Sequence, residues 1–311
     1  MNEQSIQRIM DGLDPRLIEE AARDGCRKRP VALRRALLAA CLCLLLTTSA
    51  LGLVLVRMRV SEIRMEETCT EYLVSGPLER RYSLAELGPG VREALAGSDA
   101  ICSTLPFFSL EDAADFLGAP LLKCRRYLGE KAAFQEESWV STAPILMSLW
   151  RNGEGLLRLI TVEQMHFQSV KLESGLLNAS YCERTHLFTE HYSGERLEMG
   201  RIVDGQPGLT PSTYTAADGT EISIVTHDSM IYCQEAVSMD ENGISKFDLT
   251  HPGNEHTVVY NAFFQRDGAV EEFQMTVYSG STADEAEIRA YFLELLNCFQ
   301  TVEPNRDGEG G

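Results

Sequence analysis

The chain reads as an α+β protein, with a single N-terminal transmembrane helix followed by an extracytoplasmic antiparallel β-meander sheet packed with a few helices. Three observations carry this. Residues 36–56 form an uncharged apolar run, residues 139–278 alternate with period two between glycine-containing turns, and the segment after Thr282 returns to helical spacing. The parts follow in order: 1–35, a short cytoplasmic leader; 36–56, the membrane helix; 57–128, a helical and loop-rich juxtamembrane part; 129–300, the sheet with its C-terminal amphipathic helix; 301–311, a disordered tail.

In the leader, Ile6, Ile9, Met10 and Leu13 recur at helical spacing. Asp14 and Pro15 then open a new turn, as N-cap and first helical residue. Residues 1–22 read either as a weakly structured leader or as a docking helix for a cytoplasmic partner. Thirty-five residues are too few for an enzyme domain.

The run ALLAACLCLLLTTSALGLVLV holds 21 residues without a charge. As a helix it reaches roughly 31 Å at ~1.5 Å per residue, the thickness of a hydrocarbon layer. Arg34 and Arg35 precede it and Arg57 and Arg59 follow. Seven basic side chains lie in residues 16–35 against three in 57–76, which puts the N-terminus in the cytoplasm. Leu38 to Cys41 matches a lipobox, and Thr48 to Ala50 a signal-peptidase site. Both need a short basic leader, and this one is long and carries six acids. The expectation is an uncleaved single-pass anchor in the cell membrane, with the lipid bilayer as the partner of residues 36–56.

Outside the membrane, Ser83 and Glu86 fit a capping box, and Gly88-Pro89-Gly90 breaks the helix before Val91–Ala96 resumes it. Ser109 caps a second helix that buries Leu110, Ala113, Phe116 and Leu117 and stops at Gly118. From Trp139 onward come apolar, β-branched segments such as Ile145–Trp150, Leu156–Val162, His166–Leu172, Ser180–Leu187 and Val258–Phe264. Turn signals such as Asn152-Gly153, Asp204-Gly205, Asp218-Gly219 and Asp267-Gly268 divide them. The spacings leave no room for parallel crossovers. Ser281 or Thr282 caps the last helix, where Ile288, Tyr291, Phe292, Leu295, Leu296 and Phe299 form one stripe.

Nine cysteines divide as Cys26 inside, Cys41 and Cys43 in the membrane, and six outside: Cys69, Cys102, Cys124, Cys182, Cys233 and Cys298. Six permit fifteen pairings and the spacing selects none, so disulfides and free thiols both stay open.

Few residues suggest chemistry. His186, Glu190 and His191 resemble an inverted zinc motif with one residue too many; on a strand the two imidazoles face opposite sides, and the pair reads as sheet surface. His251 and His256 with Glu255 could hold a metal in a loop, but two imidazoles and one carboxylate read better as a solvated hairpin. Glu136-Glu137 and Glu271-Glu272 are adjacent, so on strands they diverge and read as exposed charge. Asn178 to Ser180 is a glycosylation sequon, meaningful only in a eukaryotic secretory pathway. No phosphate-binding, dinucleotide-binding or nucleophile-elbow motif stands in its required context. Hence no catalytic, cofactor-binding or metal-binding residue is assigned, no cofactor is expected, and the chain is not read as an enzyme.

The net charge of −18 argues against a nucleic-acid partner. Split at the membrane, eight basic against six acidic side chains precede residue 36, and twenty against forty follow residue 56. Residues 202–311 alone hold four basic and nineteen acidic side chains. That acidic half makes cationic ligands or Ca²⁺ conceivable, although a solvated surface explains it as well.

The leader LDPRLIEEAA with RRALLAACLCLLL, and the outer FSLEDAADFLGAPLL before a strand-rich region, resemble single-pass membrane proteins of gut Firmicutes with an extracytoplasmic domain of no assigned function. The resemblance implies an anti-sigma-like layout, with a cytoplasmic partner such as a sigma factor; the inner part here is shorter than a full sigma-binding domain. The expected role is a membrane-anchored extracytoplasmic sensor or binding protein for an unknown extracytoplasmic ligand. The alternative is a tethered envelope-binding module without signalling and, behind it, an external hydrolase.

Overall fold

The computed structural model describes residues 58–65, 69–125, 139–142, 144–205, 207–239, 245–248 and 250–305. In chain order the strands are β1 (Arg59–Met65), β2 (Cys69–Pro77), β3 (Cys102–Phe107), β4 (Leu121–Cys124), β5 (Trp139–Thr142), β6 (Ile145–Arg151), β7 (Leu157–Lys171) and β8 (Leu176–Phe188), followed by β9 (Arg196–Asp204), β10 (Thr210–Thr215), β11 (Glu221–Ile231), β12 (Val237–Met239), β13 (Ser245–Phe247), β14 (Glu255–Arg266), β15 (Ala269–Val277) and β16 (Phe299–Val302). The helices are α1 (Pro89–Ala96), α2 (Leu110–Leu117) and α3 (Glu285–Leu296).

Nine strands share one antiparallel sheet in the order β10-β11-β14-β15-β8-β7-β6-β3, with β5 pairing the far end of β7. A second sheet runs β1-β2-β9, and two short ribbons pair β12 with β13 and β16 with β4. The α+β expectation is therefore corrected. Strands hold 54% of the described residues and helices 14%, so the fold is mostly β. Two features of the sequence hid this. Residues 57–128, read as helical and loop-rich, contain β1 to β4 besides α1 and α2. The large sheet is also no single meander, because β15 turns back to pair with β8 and β14 pairs with β11. The single N-terminal transmembrane helix expected over 36–56, and the leader before it, lie outside the described residues. Among the described residues no helix is long and apolar enough to cross a membrane.

Three layers result. On one face of the large sheet α1, α2 and α3 close the main core, where Ile288, Tyr291, Phe292, Leu295 and Leu296 are buried against Tyr260 and Phe273. Each such side chain contributes about 1.5–3 kcal/mol by leaving water. On the other face the small sheet packs Tyr72, Val74, Leu197 and Val203 on Phe188, Val225, Phe263 and Val270. Covered on both faces, β8, β14 and β15 read as nearly continuous buried runs, and the alternation that marks a one-sided sheet fades. β3 lies at the sheet edge, which is why it tolerates Pro106.

The helix ends agree in part with the sequence reading. Ser109 Oγ accepts from the Asp112 N–H at 3.0 Å, and Gly118 closes α2 at φ 67°. A Cβ there would meet the Gly88 nitrogen at 2.7 Å, so the close approach of α2 to the start of α1 requires glycine. Asp284, without a side-chain cap, precedes α3. Ser281 and Thr282, expected as caps, instead accept from the N–H groups of Asn178 and Leu176 and tie the helix approach to β8. Phe299 belongs to β16, not to the last helix.

Candidate functional site

Polar groups gather at four places. The first is a row across three strands on the face under the small sheet. Register sets Glu163 of β7 opposite Arg184 of β8, and Arg184 opposite Glu272 of β15. Arg184 bonds both carboxylates, Nη1 lying 3.2 Å from Glu272 Oε1, and Arg201 of β9 reaches Glu272 from the small sheet. Burial, then Arg201 and Arg184, push His186 down to about 3, so the imidazole 3.6 Å from Glu272 is neutral. Each buried charge has a partner, and the row joins the two sheets.

The second lies on the opposite face. Glu183 of β8 and Glu271 of β15 are buried in the helix-covered core. Burial raises Glu183 to about 8, against the pull of the Cys124 backbone and Lys123. Burial and the Glu183 charge raise Glu271 well above the carboxylate range, and Thr185 Oγ1 donates to its Oε2 at 2.7 Å. Nearby His166, pushed down to about 4 by burial, is also neutral. Two carboxylic acids kept protonated at neutral pH have the chemistry of a proton reservoir, but the core closes over them.

The third place is open to solvent. β10 pairs only with residues 221–226 of β11, so among the described residues the last part of β11 has no strand beyond it. There a cleft of about 500 Å³ opens between the 204–208 link, the ends of β11, β14 and β15, and the approach to α3. Asp204, Asp228 and His256 line it with Met230, Val258, Val277 and Ile288, and no Lys or Arg is among the lining residues. Tyr232, also at the wall, is raised by burial and by the Asp204 carboxylate. Several hydroxyls are already engaged: Tyr278 donates to Ser180 Oγ at 2.9 Å, and Ser279 donates to Glu255 at 2.9 Å. Thr257 Oγ1, of a lining residue only 4% exposed, is buried with no hydrogen-bond partner. The cleft can take a positively charged group beside an apolar one.

The fourth is a loop next to it. Cys233 Sγ lies 3.0 Å from His251 Nδ1, and His251 Nε2 lies 3.8 Å from Glu235 Oε2.

The residues singled out from the sequence are redistributed. His186 is buried under the small sheet, not on a sheet surface, whereas His191 sits in the turn after β8 beside Glu190. His251 turns to Cys233, while His256 stands on β14 at the cleft, so the two imidazoles do not converge. Among the described residues no group of three or more His, Cys, Asp or Glu side chains could hold a metal ion. Glu271 and Glu272 diverge as a strand requires, but at 0% and 1% exposure both are buried, contrary to the reading as surface charge. Glu136 and Glu137 lie outside the described residues. Cys69, Cys102, Cys124, Cys182, Cys233 and Cys298 are free thiols. Asp204, Asp228 and Cys233 had no sequence signal as site residues, because the strands and turns that bring them together are set by pairing distant in sequence.

Comparison with family models, with curated proteins and with solved structures gives no match.

Proposed function

We propose that the chain is an extracytoplasmic sensor or binding protein, held at the cell membrane through residues 36–56, whose acidic cleft binds a small ligand carrying an ammonium group. One observation carries the reading: Asp204 and Asp228 share a cleft with apolar side chains, Met230, Val258, Val277 and Ile288 among them, and among its described lining residues His256 alone is basic. A cation entering it finds fixed negative charge, and a hydrocarbon portion finds Met230, Val258, Val277 and Ile288. Thr257 Oγ1 offers a buried hydroxyl in want of a partner. Residues 1–22 would pass occupancy to a cytoplasmic protein, a sigma factor being the class that the layout suggests.

Titration calorimetry of the full chain with a primary diamine tests this. Binding is expected to weaken about tenfold in Asp228→Asn, the loss of one charge-assisted hydrogen bond. Equal binding by the native chain and the Asp204→Asn/Asp228→Asn double variant, or none by either, would sink the reading.

A further inference from the structure

We propose that Cys233 is a reactive thiol, activated by His251, that exchanges with small disulfides to form a mixed disulfide. The inference is independent of what the cleft binds.

The geometry is that of a nucleophile and its base. Sγ of Cys233 is 3.0 Å from Nδ1 of His251, within reach for direct proton transfer. The Gly253 N–H donates to the same nitrogen at 3.0 Å, which fixes Nδ1 as an acceptor and leaves the ring proton on Nε2, facing Glu235. With Nδ1 an acceptor, the Cys233 S–H can donate to it, sharing the lone pair with the Gly253 N–H. Gly253 is part of the arrangement, since a Cβ there would lie 3.1 Å from both Sγ and Nδ1. Asn254 holds the loop closed: its Oδ1 accepts from the Cys233 N–H at 3.2 Å and its Nδ2 donates to the Asp248 carbonyl at 2.9 Å.

The other thiols have different surroundings. Cys124 donates to the Leu295 carbonyl and Cys298 to the Glu294 carbonyl, while Cys102 faces the Thr104 hydroxyl. Cys182 is buried, and burial pushes its thiol up to about 12. Cys233 is partly exposed and faces a base. It follows Tyr232, a residue of the cleft wall, in the chain.

The step balances. As Sγ attacks one sulfur of the disulfide, its proton passes to Nδ1 and a new S–S bond forms. The old S–S bond breaks, its electron pair leaves on the departing sulfur, and that sulfur takes the proton from the imidazolium. One disulfide is consumed, one mixed disulfide and one small thiol are made, and no other oxidant is needed.

The test is site-resolved thiol exchange on the reduced full chain, with oxidised glutathione as the probe and peptide mass spectrometry to follow each cysteine. Cys233 is expected to acquire glutathione about tenfold faster than Cys69, Cys102 and Cys298. In His251→Gln its rate should fall to theirs while the rates of Cys69 and Cys102 stay unchanged, which shows that the fold persists. A native Cys233 no faster than the other three overturns the proposal, and so does a rate that survives His251→Gln in the folded chain.

Discussion

Glu271 and Glu272 are neighbours in sequence, equally buried, and electrostatic opposites. Glu272 faces the small sheet, where Arg184 and Arg201 reach its carboxylate. Glu271 faces the helices, where a threonine hydroxyl is its hydrogen-bond donor and burial holds its proton on. One strand therefore carries an arginine-paired acid on one face and a protonated acid on the other. A sheet covered by another sheet can recruit arginines from it, as Arg201 of β9 shows. A sheet covered by the apolar stripe of α3 receives no such partner, and neutralisation by proton is the cheaper course.

The largest test of this contrast removes the central arginine. Arg184→Met leaves Glu163 without its bridge and Glu272 with Arg201 alone, and urea unfolding should show a loss of about 3–5 kcal/mol. Replacing the whole row, with Glu163→Gln, Glu272→Gln and Arg201→Met added, should cost less than the single change, because no charge is then stranded. A loss below about 1 kcal/mol for Arg184→Met would mean that the row is solvated and the contrast false.

A smaller effect comes from the helix face and reads in pH. Glu183 holds its proton to about 8 in the folded chain, against an ordinary value of 4.5, and Glu271 holds its proton well past that ordinary value too. The folded state thus binds protons that the unfolded chain has released. Their contribution is full below pH 4.5 and is lost as pH rises through the folded values. His166 and His186, pushed from 6.5 down to about 4 and about 3, act in the other direction: their contribution is full above 6.5 and is lost as pH falls through those values. Stability should peak at weakly acidic pH. Glu183→Gln should flatten the alkaline limb, gaining on the order of 3 kcal/mol over the native chain at pH 8 and little at pH 5. Parallel limbs in the two proteins would place Glu183 in contact with water.

The sequence marked strand against turn far better than it marked layers. Turns such as Asn152-Gly153 and Asp267-Gly268 end strands where expected, because their backbone demands are local. Whether a face is covered depends on strands distant in sequence. β1 and β2 carry charges on their outer side and gave a mixed pattern that read as helix and loop. β7 read as two strands, yet one 15-residue strand spans both because β6 and β5 pair with successive halves of it. The glutamate pair in AVEEFQMTV was visible, and flanking apolar residues on both parities were the sign of two-sided burial. Cys233 meeting His251 depends on a loop closure that no spacing announces.

The finest test deletes one hydroxyl on each face. Tyr72 Oη accepts from Asn261 Nδ2 at 3.0 Å under the small sheet, and Thr185 Oγ1 donates to Glu271 on the helix side. Tyr72→Phe and Thr185→Val should each cost about 1 kcal/mol at pH 7, the worth of one buried hydrogen bond. Their pH responses should differ. Burial keeps Tyr72 a phenol to about 12, so its deletion costs the same at pH 7 and pH 9. The Thr185 bond stabilises the ionised form of Glu271, and losing it raises that carboxyl further. The cost of Thr185→Val should therefore grow as pH rises and ionisation begins, while that of Tyr72→Phe stays flat. Two flat profiles would show that Glu271 keeps its proton throughout this range, and two sloping ones that the faces are not electrostatically distinct.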